Sequence, residues 1–217
     1  ELLKTEIRSE NTPLLVAASN GIFENVRIIF EMCEKMEISH DILLKTNQYK
    51  SNIIHESVQC DDTYFLSLLN LLNSDPIKLN ALLMKKDNDG ETPFNTVVKY
   101  GQQKKFEAML DLCGELHIST DSVLYNETKN CKNIMHLAAG QYCNYGCFTS
   151  ILKLLKSDPI KLEALLTKKD NDGETPFDTA VEYGQRKKLE AMLNLCADLH
   201  IFTDSVLETT NCENIKQ

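Results

Sequence analysis

A ten-residue phrase that opens on Thr-Pro and closes on glycine occurs three times: TPLLVAASNG from Thr12 to Gly21, TPFNTVVKYG from Thr92 to Gly101 and TPFDTAVEYG from Thr175 to Gly184. The starts lie 80 and then 83 residues apart. Nothing else in the chain restricts its fold so much, because self-similarity at a fixed period assigns the sequence to copies of one unit. A second, diverged phrase sits between the first ones, as Asn52-Ile53-Ile54-His55 and Asn133-Ile134-Met135-His136. The unit is therefore about 40 residues long, and two units were duplicated together. Five units fit a single domain over 1–217, at approximately 10–49, 50–88, 89–130, 131–171 and 172–210. Residues 211–217 read as the start of a truncated sixth, since Asn211-Cys212-Glu213-Asn214-Ile215 repeats Asn130-Cys131-Lys132-Asn133-Ile134. With no Met at its start, the chain is expected to be a segment of something longer.

Each unit reads as two helices. Thr-Pro supplies a hydroxyl N-cap followed by proline at the first helical position, where its missing N–H costs nothing. The glycine nine residues after Thr ends that short helix. The second helix repeats apolar residues at i, i+3, i+4 and i+7: Val26, Ile29, Phe30, Cys33; Phe106, Met109, Leu110, Cys113; Leu189, Met192, Leu193, Cys196. The other units keep the pattern as Phe65, Leu68, Leu69, Leu72 and Phe148, Ile151, Leu152, Leu155. That spacing predicts one buried face per unit, and a helix pair with one apolar face is stable only when neighbouring units cover it. An all-α solenoid is expected.

The phrase from Thr12 to Gly21 closely resembles the ankyrin-repeat signature T-P-L-H-x-A-A-x-x-G, departing at the His position. Asp87-Asn88-Asp89-Gly90-Glu91-Thr92-Pro93, and its copy from Asp170, resemble the ankyrin hairpin tip D-x-x-G-x-T-P. His55 and His136 stand in the signature's histidine place, with Asn52 and Asn133 replacing its threonine. The resemblance implies helix-turn-helix repeats joined by hairpin-like loops, and partner binding through the tips and the exposed side of the first helix. These units exceed the usual 33 residues, with the excess after the second helix. Ser74-Asp75-Pro76-Ile77-Lys78-Leu79 and Ser157-Asp158-Pro159-Ile160-Lys161-Leu162 predict an extra capped helix there. Thr120-Asp121-Ser122-Val123-Leu124 and Thr203-Asp204-Ser205-Val206-Leu207 predict a shorter version.

Function classes narrow quickly. The excess of 32 Asp and Glu over 23 Lys and Arg, a net charge of -9, argues against nucleic acid as a partner. No apolar run is long enough to span a bilayer, so direct membrane contact is not expected. Cys33, Cys113 and Cys196 sit at matching helix positions, which favours reduced thiols and a cytoplasmic setting over a disulfide framework. Cys143 and Cys147 lack a second pair at metal-ligand spacing. DNDG is too compact for an EF-hand loop and reads as a turn, with Asp and Asn bonding to their own backbone and Gly at positive φ. Phosphate-binding glycine motifs are missing. The histidines form no catalytic constellation: His55 and His136 are signature residues, His117 and His200 match each other, and His40 has no counterpart. Neither enzyme activity nor a cofactor or metal is expected. Lys85-Lys86, Lys104-Lys105, Lys168-Lys169 and Lys187-Lys188 read as solvated surface.

The expected function is a protein-protein interaction or scaffold module that binds a protein partner through a concave face. Its candidate residues are Tyr100, Tyr183, Lys99 and Glu182 from the first helices, and Asp87, Asp89, Glu91, Asp170, Asp172 and Glu174 from the tips. Tyr142 joins them from the turn of the fourth unit, which is two residues longer than its counterpart: His136 to Phe148 spans 12 residues, His55 to Phe65 only 10. The acidic tips predict a partner with a basic segment, and the unfinished ends predict some self-association. A cytosolic assembly domain of a membrane channel, or the targeting part of a larger enzyme or host-directed effector, are the alternatives.

Overall fold

The computed structural model describes residues 11–36 and 42–201. The expected truncated unit at 211–217, the expected short helix at 203–207 and His40 fall outside them, as do residues at the ends of the first and fifth units. Among the described residues the chain is all-helical, with thirteen helices and no strands.

Contacts divide the chain into two compact units: Glu1–Thr96 with Ala108–Thr120, and Val97–Glu107 with Asp121–Gln217. In the first, α1 (Pro13–Ser19) packs on α2 (Phe23–Lys35) and on α3 (Ile53–Ser57). α2 lies against α4 (Asp62–Leu72), and α5 (Pro76–Leu83) covers α3 and α4. Helices α6 (Pro93–Lys99) and α7 (Gln103–Glu115) contribute residues to both units, followed by the four-residue α8 (Asp121–Leu124). In the second unit α9 (Ile134–Ala139) packs on α10 (Tyr145–Leu155), α11 (Pro159–Thr167) and α12 (Pro176–Glu182). α13 (Arg186–Asp198) lies against α10 and α12. First helices therefore meet first helices and second helices meet second helices, which is how repeats share one core.

The caps form as the residues require. Thr12 Oγ1 accepts from Leu15 N and Thr175 Oγ1 from Asp178 N, while Asn52 and Asn133 do the same for α3 and α9. Gly21, Gly101 and Gly184 take φ of 67°, 64° and 61°, the left-handed conformation that stops the first helices. The second helices of α7 and α13 end on His117 and His200, both at φ 54°, so these matched histidines are helix terminators. The predicted extra helices are α5 and α11, capped by Asp75 and Asp158, with α8 as the short version.

The apolar stripe is complete in α4 and α10, where Phe65, Leu68, Leu69, Leu72 and Phe148, Ile151, Leu152, Leu155 are all buried. In α2 Val26 and Cys33 are buried while Ile29 and Phe30 are half-buried. In α7 and α13 the stripe is rotated: Leu110, Leu189 and Leu193 are only half-buried, whereas Leu112 and Leu195 are buried beside Met109, Cys113, Met192 and Cys196.

Candidate partner-binding surface

Each hairpin tip is built by one side chain. Asp87 Oδ1 accepts from Asp89 N (2.8 Å) and Glu91 N (2.9 Å), and Asp170 Oδ1 accepts from Asp172 N (3.0 Å) and Glu174 N (2.9 Å). Gly90 and Gly173 complete the turns at φ 76° and 80°. The asparagine of DNDG then staples each tip to the one before it. Asn88 donates from N to Tyr49 O (2.8 Å) and from Nδ2 to Gln48 O (3.0 Å). Asn171 likewise donates to Asn130 O (3.0 Å) and Lys129 O (3.1 Å).

Beneath each tip a signature histidine locks it to the preceding first helix. His55 Nδ1 accepts from Asn52 N, so Nε2 carries the proton and donates to Glu91 O at 3.1 Å. His136 repeats this with Asn133 N and Glu174 O at 3.0 Å. Burial holds both imidazoles below the usual histidine pKa. Both rings are thus committed to structure.

These bonds sort the predicted acidic residues. Asp87 and Asp170 spend an oxygen on the turn, and the second oxygen of Asp170 lies 3.5 Å from Lys132 Nζ. Glu91 is 7% exposed, and Glu174 is half-buried with its carboxyl pKa raised by that burial. Asp89, Asp172 and Glu182 are the exposed acids of the set, and Lys99 is half-buried.

The tyrosines gather elsewhere. Tyr100, Tyr142 and Tyr183 belong to the second unit and are 45%, 68% and 39% exposed. They end α6, follow α9 and end α12. Tyr183 is therefore about 12 Å along the helix from the tip that precedes Thr175, at 1.5 Å per residue. Asp87, Asp89 and Glu91 lie in the other unit. Asn144 Nδ2 donates to Gly101 O, and a Cβ on Gly101 would collide with the backbone of Asn144, so the 100–103 and 141–146 turns touch through glycine. Tyr145, missed by the sequence reading, is 47% exposed at the start of α10 and stacks on Phe148 with ring centroids 6.1 Å apart.

The turn at 141–145 also meets the start of α13 through a residue misread from the sequence. Lys188 is 3% exposed, and its Nζ donates to Gly140 O (2.6 Å) and Cys143 O (2.7 Å) while lying 5.9 Å from the Phe148 ring centroid. Lys105, its counterpart, is 1% exposed. These two lysines are thus not solvated surface, although Lys104 and Lys187 beside them are exposed. A buried ammonium is tolerated because carbonyl oxygens replace its water. The only advance signal was position: both lysines stand one place before an apolar stripe residue.

Among the described residues no group of three His, Cys, Asp or Glu gathers as a metal site, and no helix is long and apolar enough to cross a membrane. The seven described cysteines are free thiols.

No family model matches the chain, and no curated protein matches it in sequence. Solved structures do match. One is the ankyrin repeat domain of Bcl-3, described as a unique member of the IkappaB protein family, with a TM-score of 0.61 and 19% identity over 87% of this chain and 73% of that one. The Thr-Pro caps, the left-handed glycines, the stapled tips and this likeness lead to one conclusion: the chain has the ankyrin-repeat fold, with an extra helix inserted after α4, α7 and α10.

Proposed function

We propose that the chain is a non-catalytic protein-protein interaction module whose recognition surface is the tyrosine-bearing edge of the second unit. The observation that carries this reading is the convergence of Tyr100, Tyr142, Tyr145 and Tyr183 at consecutive inter-helix turns, each with a large exposed ring. Tyrosine suits such a surface because it buries a large area at low entropy cost and keeps a polar tip. The turns are rigidly joined by Asn144 to Gly101 and by Lys188 to Gly140 and Cys143, so partner binding need not order them.

The partner is a protein segment carrying basic residues. The chain's charge of -9 favours encounter with such a segment, and Glu182 beside Tyr183, with Asp172 on the tip of the same unit, offers exposed carboxylates.

Cross-linking and affinity capture from lysate, comparing the wild-type chain with Tyr142→Ala/Tyr183→Ala, tests this. Both substitutions are at exposed positions, so matched urea midpoints are expected for the two proteins. A partner captured by the wild type and lost by the variant supports the edge. Equal capture sinks it.

A further inference from the structure

α2 carries exposed apolar side chains in a line. Ile28, Met32 and Met36 are 43%, 45% and 60% exposed, and Met36 N donates to Met32 O at 3.0 Å, so helical geometry continues past the last residue of α2. Residues four apart stand one above another on a helix, which makes these side chains a single stripe about two turns long. Among the described residues no other helix has more than one exposed large apolar side chain.

The internal repeat shows what this side of the helix packs against. Matching the three 13-residue helices at Cys33, Cys113 and Cys196 puts Ile28, Met32 and Met36 in the places of Ala108, Leu112 and Leu116, and of Ala191, Leu195 and Leu199. Leu112 and Leu195 are buried. α13 packs on α10 and turns this side towards it, since Lys188, three residues before Ala191, reaches the Gly140 and Cys143 carbonyls that precede α10. The column is thus a helix-packing surface in α13. α2 presents the same column with isoleucine in place of alanine, and leaves it open.

The charges beside the stripe select which helix fits. Glu24 and Lys35 are both exposed and lie 11 residues apart, about three turns, on one flank of it. Lys35 has no carboxylate partner among the described residues, and Glu24 shares Arg27 with Glu31, so Arg27 keeps an ion pair when Glu24 turns away. A two-fold axis at the level of residue 30 makes this surface its own complement. Ile28 then packs on Met32 of the second copy and Met32 on its Ile28, because a two-fold contact repeats every pair with the roles exchanged. The same operation brings like flanks together and sets Glu24 of each copy within about one residue's rise of Lys35 of the other.

We infer that α2 is a homodimerisation helix, which pairs antiparallel with α2 of a second copy of this chain through Ile28, Met32 and two Glu24–Lys35 ion pairs. The stripe belongs to the first unit and the tyrosine edge to the second, so the pairing does not depend on what that edge binds. One helix pair of this length buries less than a standard interface, which sets the affinity in the micromolar range.

The test is sedimentation equilibrium of the intact chain between about 1 and 300 µM. The expected result is a weight-average mass that climbs from that of the monomer toward twice that value. Met32→Glu should weaken the dimer at least about tenfold, because pairing would bury its charge. Lys35→Glu and Glu24→Lys should each weaken it as well, and an equimolar mixture of these two variants should restore it, since their heterodimer carries two opposite-charge pairs. A fault in folding cannot produce that rescue. A wild-type chain that stays monomeric throughout overturns the inference, as does a dimer that Met32→Glu leaves intact, or a mixture that associates no better than its components.

Discussion

Four hairpin tips reach one geometry by two chemistries. At 87–91 and 170–174 an aspartate accepts two backbone N–H groups and glycine takes the left-handed position. At 47–51 Asn47 Oδ1 accepts two N–H groups but Lys50 occupies the left-handed position at φ 59°. At 128–132 Thr128 Oγ1 accepts only from Lys132 N, and Cys131 stands at φ 57°. What repeats is the turn and its closing bonds. The two tips without glycine hold a side chain where L-residues pay about 1 kcal/mol in strain.

The largest expected effect comes from removing the imidazole that anchors a tip. His136→Leu leaves the Asn133 N–H and the Glu174 carbonyl without their partner and should cost about 3 kcal/mol in urea unfolding. A loss under about 1 kcal/mol would show that the tip holds itself.

Next comes the side chain inside the tip. Asp170→Ala removes two accepted N–H bonds and an ion-pair partner of Lys132, and should cost about 2 kcal/mol, against about 1 kcal/mol for Thr128→Ala. Equal losses would erase the distinction between the tips.

Smaller still are the backbone effects. Lys50→Gly and Cys131→Gly should each gain up to about 1 kcal/mol, and Gly173→Ala should lose about as much. A Cβ at Gly173 meets nothing within 4 Å, so that substitution reports conformation alone. A destabilised Cys131→Gly would mean that the residue contributes more by contact than it costs in φ.

The mildest effect is that of pH. The folded pKa of His55 and His136 is lowered, so the unfolded chain binds protons more readily and stability rises with pH across this window. The contribution is complete above the ordinary histidine value of about 6.5 and is lost as pH falls below it. Urea midpoints measured between pH 7.5 and 5.5 should fall on acidification, and fall less in His136→Leu.

Much of this was legible because it is local. Thr12 and Thr175 meet their N–H partners three residues away, Asp158 and Pro159 announce α11 within two positions, and Gly184 needs only its own φ. What escaped depends on distant chain. Lys188 looked solvated because the carbonyls that hold it come from Gly140 and Cys143. Glu91 looked like a displayed acid, yet packing leaves it 7% exposed. In α7 and α13 the helical period predicted a stripe correctly but not its rotation, since Leu110 and Leu112 are equally apolar and only the neighbouring helices choose between them. The tyrosines were legible as residues; their convergence in one unit was not, because it requires the contact of the 100–103 and 141–146 turns.

The staples between repeats also set how the chain can fold. The side-chain bonds that tie one helix pair to another close loops of 40 residues at Asn88 to Gln48, 42 at Asn171 to Lys129 and 48 at Lys188 to Gly140. Loop-closure entropy grows only slowly with length, and every one of these closures is about one repeat long. Contact order is therefore low, which favours rapid folding in which each closed pair is the template on which the adjacent pair completes its own turn.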